Sequence, residues 1–290
     1  MKSISGNKFE SCLELSKLKI MIPVSFTGFT GYFIYDPVIS ARIILVTLGI
    51  LFMAIAASVM NQMQEVDIDA KMKRTINRPL PKGRIRLSDA RIYFFFTLVS
   101  GTVLLSAAGN LSASLIGLFT MIWYNGVYTN AKRLTPYAII PGALTGALPP
   151  LIGWVAAGGG FFDKTIIFIE LLFFIGQIPH FLLLTLKYGE EYENAGIPVL
   201  SGIMSSSAGR SITFVLVVTA AAIALYLSHF ELDKPFLVYI CLFASVILIL
   251  QFSGLLKKNM DKDRYSKYFH SLDTYFLLVL ILLISDKAIY

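Results

Sequence analysis

Apolar runs about as long as a bilayer is thick recur along almost the whole chain, and nothing else in the sequence restricts its fold as severely. A helix needs about 20 such residues to cross the hydrocarbon core, with about 17 to 25 tolerated. Nine runs meet that length, at approximately 20–36, 40–60, 91–108, 111–129, 137–158, 164–186, 211–229, 235–255 and 270–286. The first is short and interrupted by Pro23, Gly28 and Gly31, residues that membrane helices accommodate. Hydrophobic residues make up 56% of the 290 and charged residues 15%, with a mean hydropathy of +0.70. A soluble core of this size cannot bury that much apolar surface, so lipid must solvate most of it. The expected fold is an all-α integral membrane protein, a single polytopic domain over 1–290 with nine transmembrane helices.

Charge then orients the runs. With nine spans the termini lie on opposite sides, and 21 of the 25 Lys and Arg fall on one of them: the N-terminus and the loops near 61–91, 130–136, 187–210 and 256–269. The other side holds only Arg42, Lys164, Lys234 and Lys287. The positive-inside tendency places the richer set in the cytoplasm, and the membrane expected for a bacterial or archaeal chain is the plasma membrane. The net charge of +7 is thus read as facing anionic lipid, and no nucleic-acid partner is expected. The first nineteen residues lack the short apolar core of a cleavable signal, so the first span is expected to act as its own insertion signal. Cys12 and Cys241 fit neither a disulfide framework nor a metal pattern. The outer connections are short turns, whereas the inner ones are longer and more polar, so function is sought on the inside.

The stretch Asn61–Pro81 carries the densest chemistry. If the second helix continues past Met60, then Asn61, Glu65 and Asp69 recur at i, i+4 and i+8 and share one face of its cytoplasmic end. Such a line of oxygen donors suits Mg²⁺, which takes carboxylates, water and substrate phosphate. Asp67 lies roughly 160° away by helical geometry, so it is expected outside that line. Glu190 and Asn194, again four apart, form a second acidic face beside Glu191 in the loop after span six. Two such faces at one membrane boundary can each bind a metal and grip a diphosphate between them, with Arg74, Arg78 and Lys132 adding positive charge. The plainer alternatives are solvated ion pairs at helix ends and, for Lys132 and Arg133, ordinary topology. His180 follows Pro179 within span six. It is read either as a functional ionisable residue within the membrane or as a hydrogen-bonded packing residue.

These residues carry a resemblance. Asn61-x₃-Glu65-x₃-Asp69 followed by Arg74, Thr75, Arg78 and Pro79 resembles the first signature of the UbiA superfamily of membrane prenyltransferases, usually written NDxxDxxxD. Three further stretches are similar to its protoheme IX farnesyltransferase (haem O synthase) branch. They are Tyr128-Thr129 with Lys132-Arg133 and Thr135-Pro136, Gly146 to Trp154, and Pro179-His180-Phe181 leading to Glu190-Glu191-Tyr192 and Ala195-Gly196-Ile197-Pro198. The sequence departs from the pattern at Glu65 and at Glu190-Glu191, where aspartates are usual, and at Gln62.

The resemblance implies a nine-helix bundle around a central cavity, capped by cytoplasmic loops. It implies Mg²⁺-dependent transfer of an isoprenyl group from an isoprenyl diphosphate, farnesyl diphosphate favoured, to a membrane-associated acceptor, haem B giving haem O. Carried over position by position, it makes Asn61, Glu65, Asp69, Glu190 and Glu191 catalytic and assigns the metal to Asn61, Glu65, Asp69, Glu190 and Asn194. Arg74, Arg78, Lys132, Tyr128 and His180 become substrate contacts. An aromatic acid as acceptor is the alternative within the superfamily. A secondary transporter is the alternative of another class, motivated by broken helices and by Glu170 in span six.

Overall fold

The computed structural model describes residues 7–257 and 260–288, and among these it contains helices and turns but no strand. In chain order the α-helices are α1 (Lys8–Ser16), α2 (Leu18–Tyr35), α3 (Ala41–Gln64), α4 (Val66–Asp69), α5 (Leu87–Leu104), α6 (Leu111–Ile122), α7 (Thr129–Ala131), α8 (Ile139–Ala157), α9 (Lys164–Asn194), α10 (Ser206–Glu231), α11 (Pro235–Ser253) and α12 (Arg264–Ala288). Seven helical segments of the described residues are long and apolar enough to cross a membrane: α3, α5 with its continuation to Gly109, Pro136–Ala157, α9, α10, α11 and α12. The two other expected runs are also helical. One is α2, and the other is α6 prolonged by a π-helical segment, Trp123–Tyr128.

The helices pack as a ring. α2 lies against α3 and α8, α3 against α5, α8 against α9, α9 against α10, and α10 against α11, while α12 returns to touch α11, α9 and α2. Large apolar side chains point outward, among them Phe95, Phe96 and Val99 on α5 and Tyr239, Phe243 and Leu250 on α11. That is the surface expected where the solvent is lipid.

The interruptions in the first apolar run have a packing cause. Gly28 and Gly31 let α2 approach the part of α8 where Pro149 and Pro150 lie inside the helix. A Cβ at Gly31 would collide with the Pro150 carbonyl, and one at Gly153 with the Gly28 carbonyl. Backbone blocks both, so no rotamer change relieves the clash. Gly153→Val is therefore expected to separate α2 from α8, which a lost or strongly lowered melting transition of the detergent-purified protein would register.

At the inner end, α1 is docked onto α3 through the Leu15 carbonyl, which accepts from Ser58 Oγ at 3.0 Å and Gln62 Nε2 at 2.7 Å. Asn7 caps α1 by accepting from the Phe9 N–H at 3.0 Å. Its other end turns at Lys17, the one non-glycine residue among those described with positive φ, 44°. A lysine in the left-handed region carries strain, and here that turn swings the chain from α1 into α2.

Candidate active site

α3 does not run straight through its acidic end. It stops at Gln64, Glu65 takes φ −111° and ψ 15°, and α4 resumes at Val66. The i, i+4 ladder nevertheless survives the break, with Glu65 N–H donating to Asn61 O at 3.0 Å and Asp69 N–H to Glu65 O at 2.8 Å. Asn61, Glu65 and Asp69 are accordingly all buried, at 3%, 5% and 3% exposure. Asp67 turns away to Arg133, whose two terminal nitrogens reach it at 3.0 and 3.1 Å. That hydrogen bond, more than any other influence, holds the Asp67 carboxyl below its ordinary pKa.

Buried carboxylates need cations or hydrogen bonds, and both are present. Arg78 donates through one nitrogen to both oxygens of Asp69 at 2.7 Å, and Lys132 pairs with Glu65. Asn61 donates to Thr129 Oγ1 at 3.2 Å. Thr129 itself donates to the Tyr124 carbonyl at 2.9 Å, so the π-helical end of α6 is tied to the end of α3. Asn125, buried in the same π segment, donates to the Ala57 carbonyl at 3.1 Å and to Gln64 at 3.2 Å, while Gln64 returns a bond to the Asn125 carbonyl at 3.0 Å. π-helical insertions of this kind re-aim side chains locally. Below the ion pairs Tyr124 stacks on Tyr128 with ring centroids 5.4 Å apart. Tyr128 also meets Phe181 at 5.8 Å and lies under the Lys132 ammonium at 5.2 Å.

From the opposite side comes the inner end of α9. Arg74 donates to the Tyr192 hydroxyl at 3.1 Å and lies over the Tyr188 ring at 5.5 Å. Ile68 and Met72 pack with Ala195 and Ile197. The two stretches expected to face one another do meet, but the second acidic face differs from the expected one. Glu190 and Asn194 are both exposed, and Glu190 takes a hydrogen bond from Lys262 at 2.6 Å. Glu191, one residue and about 100° further round the helix, keeps its Oε2 buried without a hydrogen-bond partner. Among the described residues no three His, Cys, Asp or Glu side chains converge as a ready cation site.

One site residue escaped the sequence reading altogether. Lys17, at the left-handed turn, is close enough to Asp69, Glu65, Arg78 and Lys132 to sense all four charges, and its pKa is pushed down to about 7. Burial is the main cause, followed by Arg78; the carboxylates act the other way. In the sequence it looks like one more positive-inside residue ahead of the first span, and only the docking of α1 brings it to the site. Gln62, a departure from the superfamily signature, is one of the two side chains, with Ser58, that hold α1 there. Asn125 did leave a signal, being a polar residue inside an apolar run. His180 does not meet the ion pairs: its Nδ1 lies 3.2 Å from Asp273 Oδ1 at the seam of α9 and α12. Glu170 lies beside a lateral groove with Leu144, Ala147 and Phe174, away from the acidic site.

Comparison with known proteins places the chain in a family. The model of the UbiA prenyltransferase family matches residues 24–272. A protoheme IX farnesyltransferase of Cytophaga hutchinsonii is 30% identical over 288 residues, 97% of this chain and 99% of that protein. A solved structure of digeranylgeranylglyceryl phosphate synthase superposes with a TM-score of 0.78 at 21% identity, covering 97% of this chain and 99% of that one. A UbiA homologue from Archaeoglobus fulgidus, solved with GPP and Mg²⁺, superposes with a TM-score of 0.69 at 18% identity, covering 95% and 99%. The two superpositions bear on the fold, and the family match extends to the segments that build the buried acidic site. The chain is a member of the UbiA prenyltransferase family.

Proposed function

We propose that the protein transfers the farnesyl group of farnesyl diphosphate to a vinyl group of haem B, producing haem O. The observation that carries this reading is the concentration of Glu65, Asp69, Arg78, Lys132, Lys17 and Arg74 at one end of an apolar bundle, in a chain similar throughout its length to a protoheme IX farnesyltransferase. A transporter would place its ionisable groups near the midplane, whereas these cluster at a membrane boundary. On this reading the whole chain, 1–290, works as one domain. α2 and the α6 segment complete nine spans, and the acidic site faces the cytoplasm on the Lys- and Arg-rich side.

Mg²⁺ fits the donor set. Asn61, Glu65, Asp69 and the unpartnered Oε2 of Glu191 offer oxygen alone, the chemistry of a hard cation. Glu190 and Asn194 lie at the rim. Bound there, Mg²⁺ would neutralise charge on the diphosphate as it leaves.

The chain's own residues do the rest. Arg78 and Lys132 hold Asp69 and Glu65 in place and present positive charge to the diphosphate oxygens; Arg74 and Lys17 extend that charge to the two sides. The Tyr124, Tyr128 and Phe181 rings form a wall beneath, excluding water and facing a developing allylic cation with their π surfaces. In the reaction the C1–O bond of farnesyl diphosphate breaks and diphosphate leaves with the electron pair. The vinyl carbon bonds to C1, and water adds to the resulting carbocation with loss of one proton, leaving a hydroxyethylfarnesyl group.

Purified protein supplied with farnesyl diphosphate, Mg²⁺ and haem B is expected to yield haem O by chromatography and mass. Turnover of an aromatic acid with none of haem would move the acceptor to the quinone-precursor class. Absence of diphosphate release with every acceptor would remove the enzyme reading.

A further inference from the structure

His180 and Asp273 make a carboxylate–imidazole pair inside two membrane-spanning helices, apart from the acidic site. Ionisable pairs at such depth are costly and are usually retained for function. A packing histidine would be expected to have both ring nitrogens satisfied and its ring covered. Here Nδ1 lies 3.2 Å from Asp273 Oδ1, Nε2 has no hydrogen-bond partner among the described residues, and the side chains of His180 and Asp273 remain 24% and 47% exposed. The ring is held nonetheless. The Phe269 ring lies 4.0 Å from it between centroids and Phe181 6.2 Å away edge-on. One turn earlier, Gly176 lets the Phe276 ring of α12 come close to α9, because a Cβ there would strike it.

An ionised carboxylate only accepts hydrogen bonds, so a neutral His180 ring making this contact carries its proton on Nδ1 and its lone pair on Nε2. That is the arrangement of a metal-ligating histidine whose second nitrogen is oriented and made more basic by an acid. His180 precedes Glu191 by eleven residues on α9, which places it roughly 16 Å from Glu191 along the helix axis. An acceptor lying in the bundle beneath the diphosphate would reach that level. Phe181, the next residue, belongs to the aromatic wall under Lys132.

We propose that Asp273 is a positioning residue that holds His180 in the Nδ1–H tautomer, so that Nε2 binds the iron of the porphyrin acceptor and fixes the vinyl group relative to the allylic carbon. This rests on the haem reading above and assigns a specific pair to the acceptor half of the site.

The test is a titration of the full-length protein in detergent with ferric haem B, read by its absorption spectrum and by the reduction potential of the bound haem. One equivalent should bind with the spectrum of imidazole-ligated iron. His180→Gly should lose that spectrum and recover it with added imidazole, and Asp273→Ala should weaken haem binding about 10–100-fold. Asp273→Asn should still bind haem but at a raised reduction potential, because an amide leaves the imidazole a poorer electron donor; a residue that merely packs would not move it. An unchanged spectrum in His180→Gly, an Asp273→Asn protein with wild-type affinity and potential, or no haem binding at all would each overturn the assignment. Turnover with farnesyl diphosphate separates the two proposals. Haem O formed at the wild-type rate by a His180→Gly protein of unchanged spectrum removes the pair and leaves the reaction. Haem bound through His180 with no prenyl transfer removes the reaction and leaves the pair.

Discussion

Asp69→Ala is expected to abolish prenyl transfer, lowering kcat/KM by at least about 10²–10³-fold, the range for losing one preorganised electrostatic contact to a transition state. Asp69 is the most fully committed acid of the site: its side chain is 4% exposed, both oxygens contact Arg78, and its backbone carbonyl takes the Thr75 hydroxyl at 3.0 Å. The substitution removes a metal donor and frees the guanidinium that should meet the diphosphate. Stability should change much less. Arg78 is 21% exposed and can turn towards water, so the large penalty for stranding a buried charge does not apply in full. Asp69→Asn, which keeps the volume but not the charge, should lose activity to a similar degree. Measuring diphosphate release alongside a melting curve separates the two effects. Full activity in either variant would remove the acid from the metal site.

Lys17→Met is the second large effect, expected to raise KM for the isoprenyl diphosphate about 10–100-fold, the equivalent of one charge-assisted hydrogen bond. The pH dependence gives it a signature of its own. With a pKa near 7 in the free protein, Lys17 is protonated below that pH and largely neutral above it. A bound diphosphate favours the charged form, so binding above pH 7 takes up a proton and the affinity falls as pH rises. Lys17→Arg, charged throughout, should flatten that dependence, and Lys17→Met should be weak at every pH. Folding supplies the complementary sign. Because the unfolded chain keeps its lysine proton up to about pH 10.4, it binds more protons than the folded state above pH 7. This group's contribution to stability therefore rises between pH 7 and about 10. A wild-type KM independent of pH between 6 and 9 would count against Lys17 as a diphosphate contact.

The reach of the sequence is clearest around residues 61–81. The i, i+4 spacing of Asn61, Glu65 and Asp69 was readable because a helical period survives a local break, and the structure keeps that ladder through the kink at Glu65. Asp67 was readable as the outlier for the same reason. The second acidic segment was not readable at this resolution. Glu190 and Glu191 are adjacent in sequence, and which of them turns inward depends on the rotation of α9 against its neighbours and on Lys262 outside it. Lys17 and Gln62 were invisible as site residues because their roles arise from α1 docking against α3. Asp273 was invisible because its partner lies 93 residues away.

The sequence alone determined the solvent, the class of fold, the helical course of the apolar runs and the character of the charged stretch, all of which follow from local composition and period. The tertiary structure decided which charges meet. Glu65 pairs with Lys132, Asp69 with Arg78 and His180 with Asp273, and Lys17 comes close enough to the first two pairs to feel their charge. The physical reason is that an ion pair is set by distances of a few ångströms across helices far apart in sequence. Those distances depend on close approaches such as Gly28 and Gly31 against α8, and on the left-handed turn at Lys17.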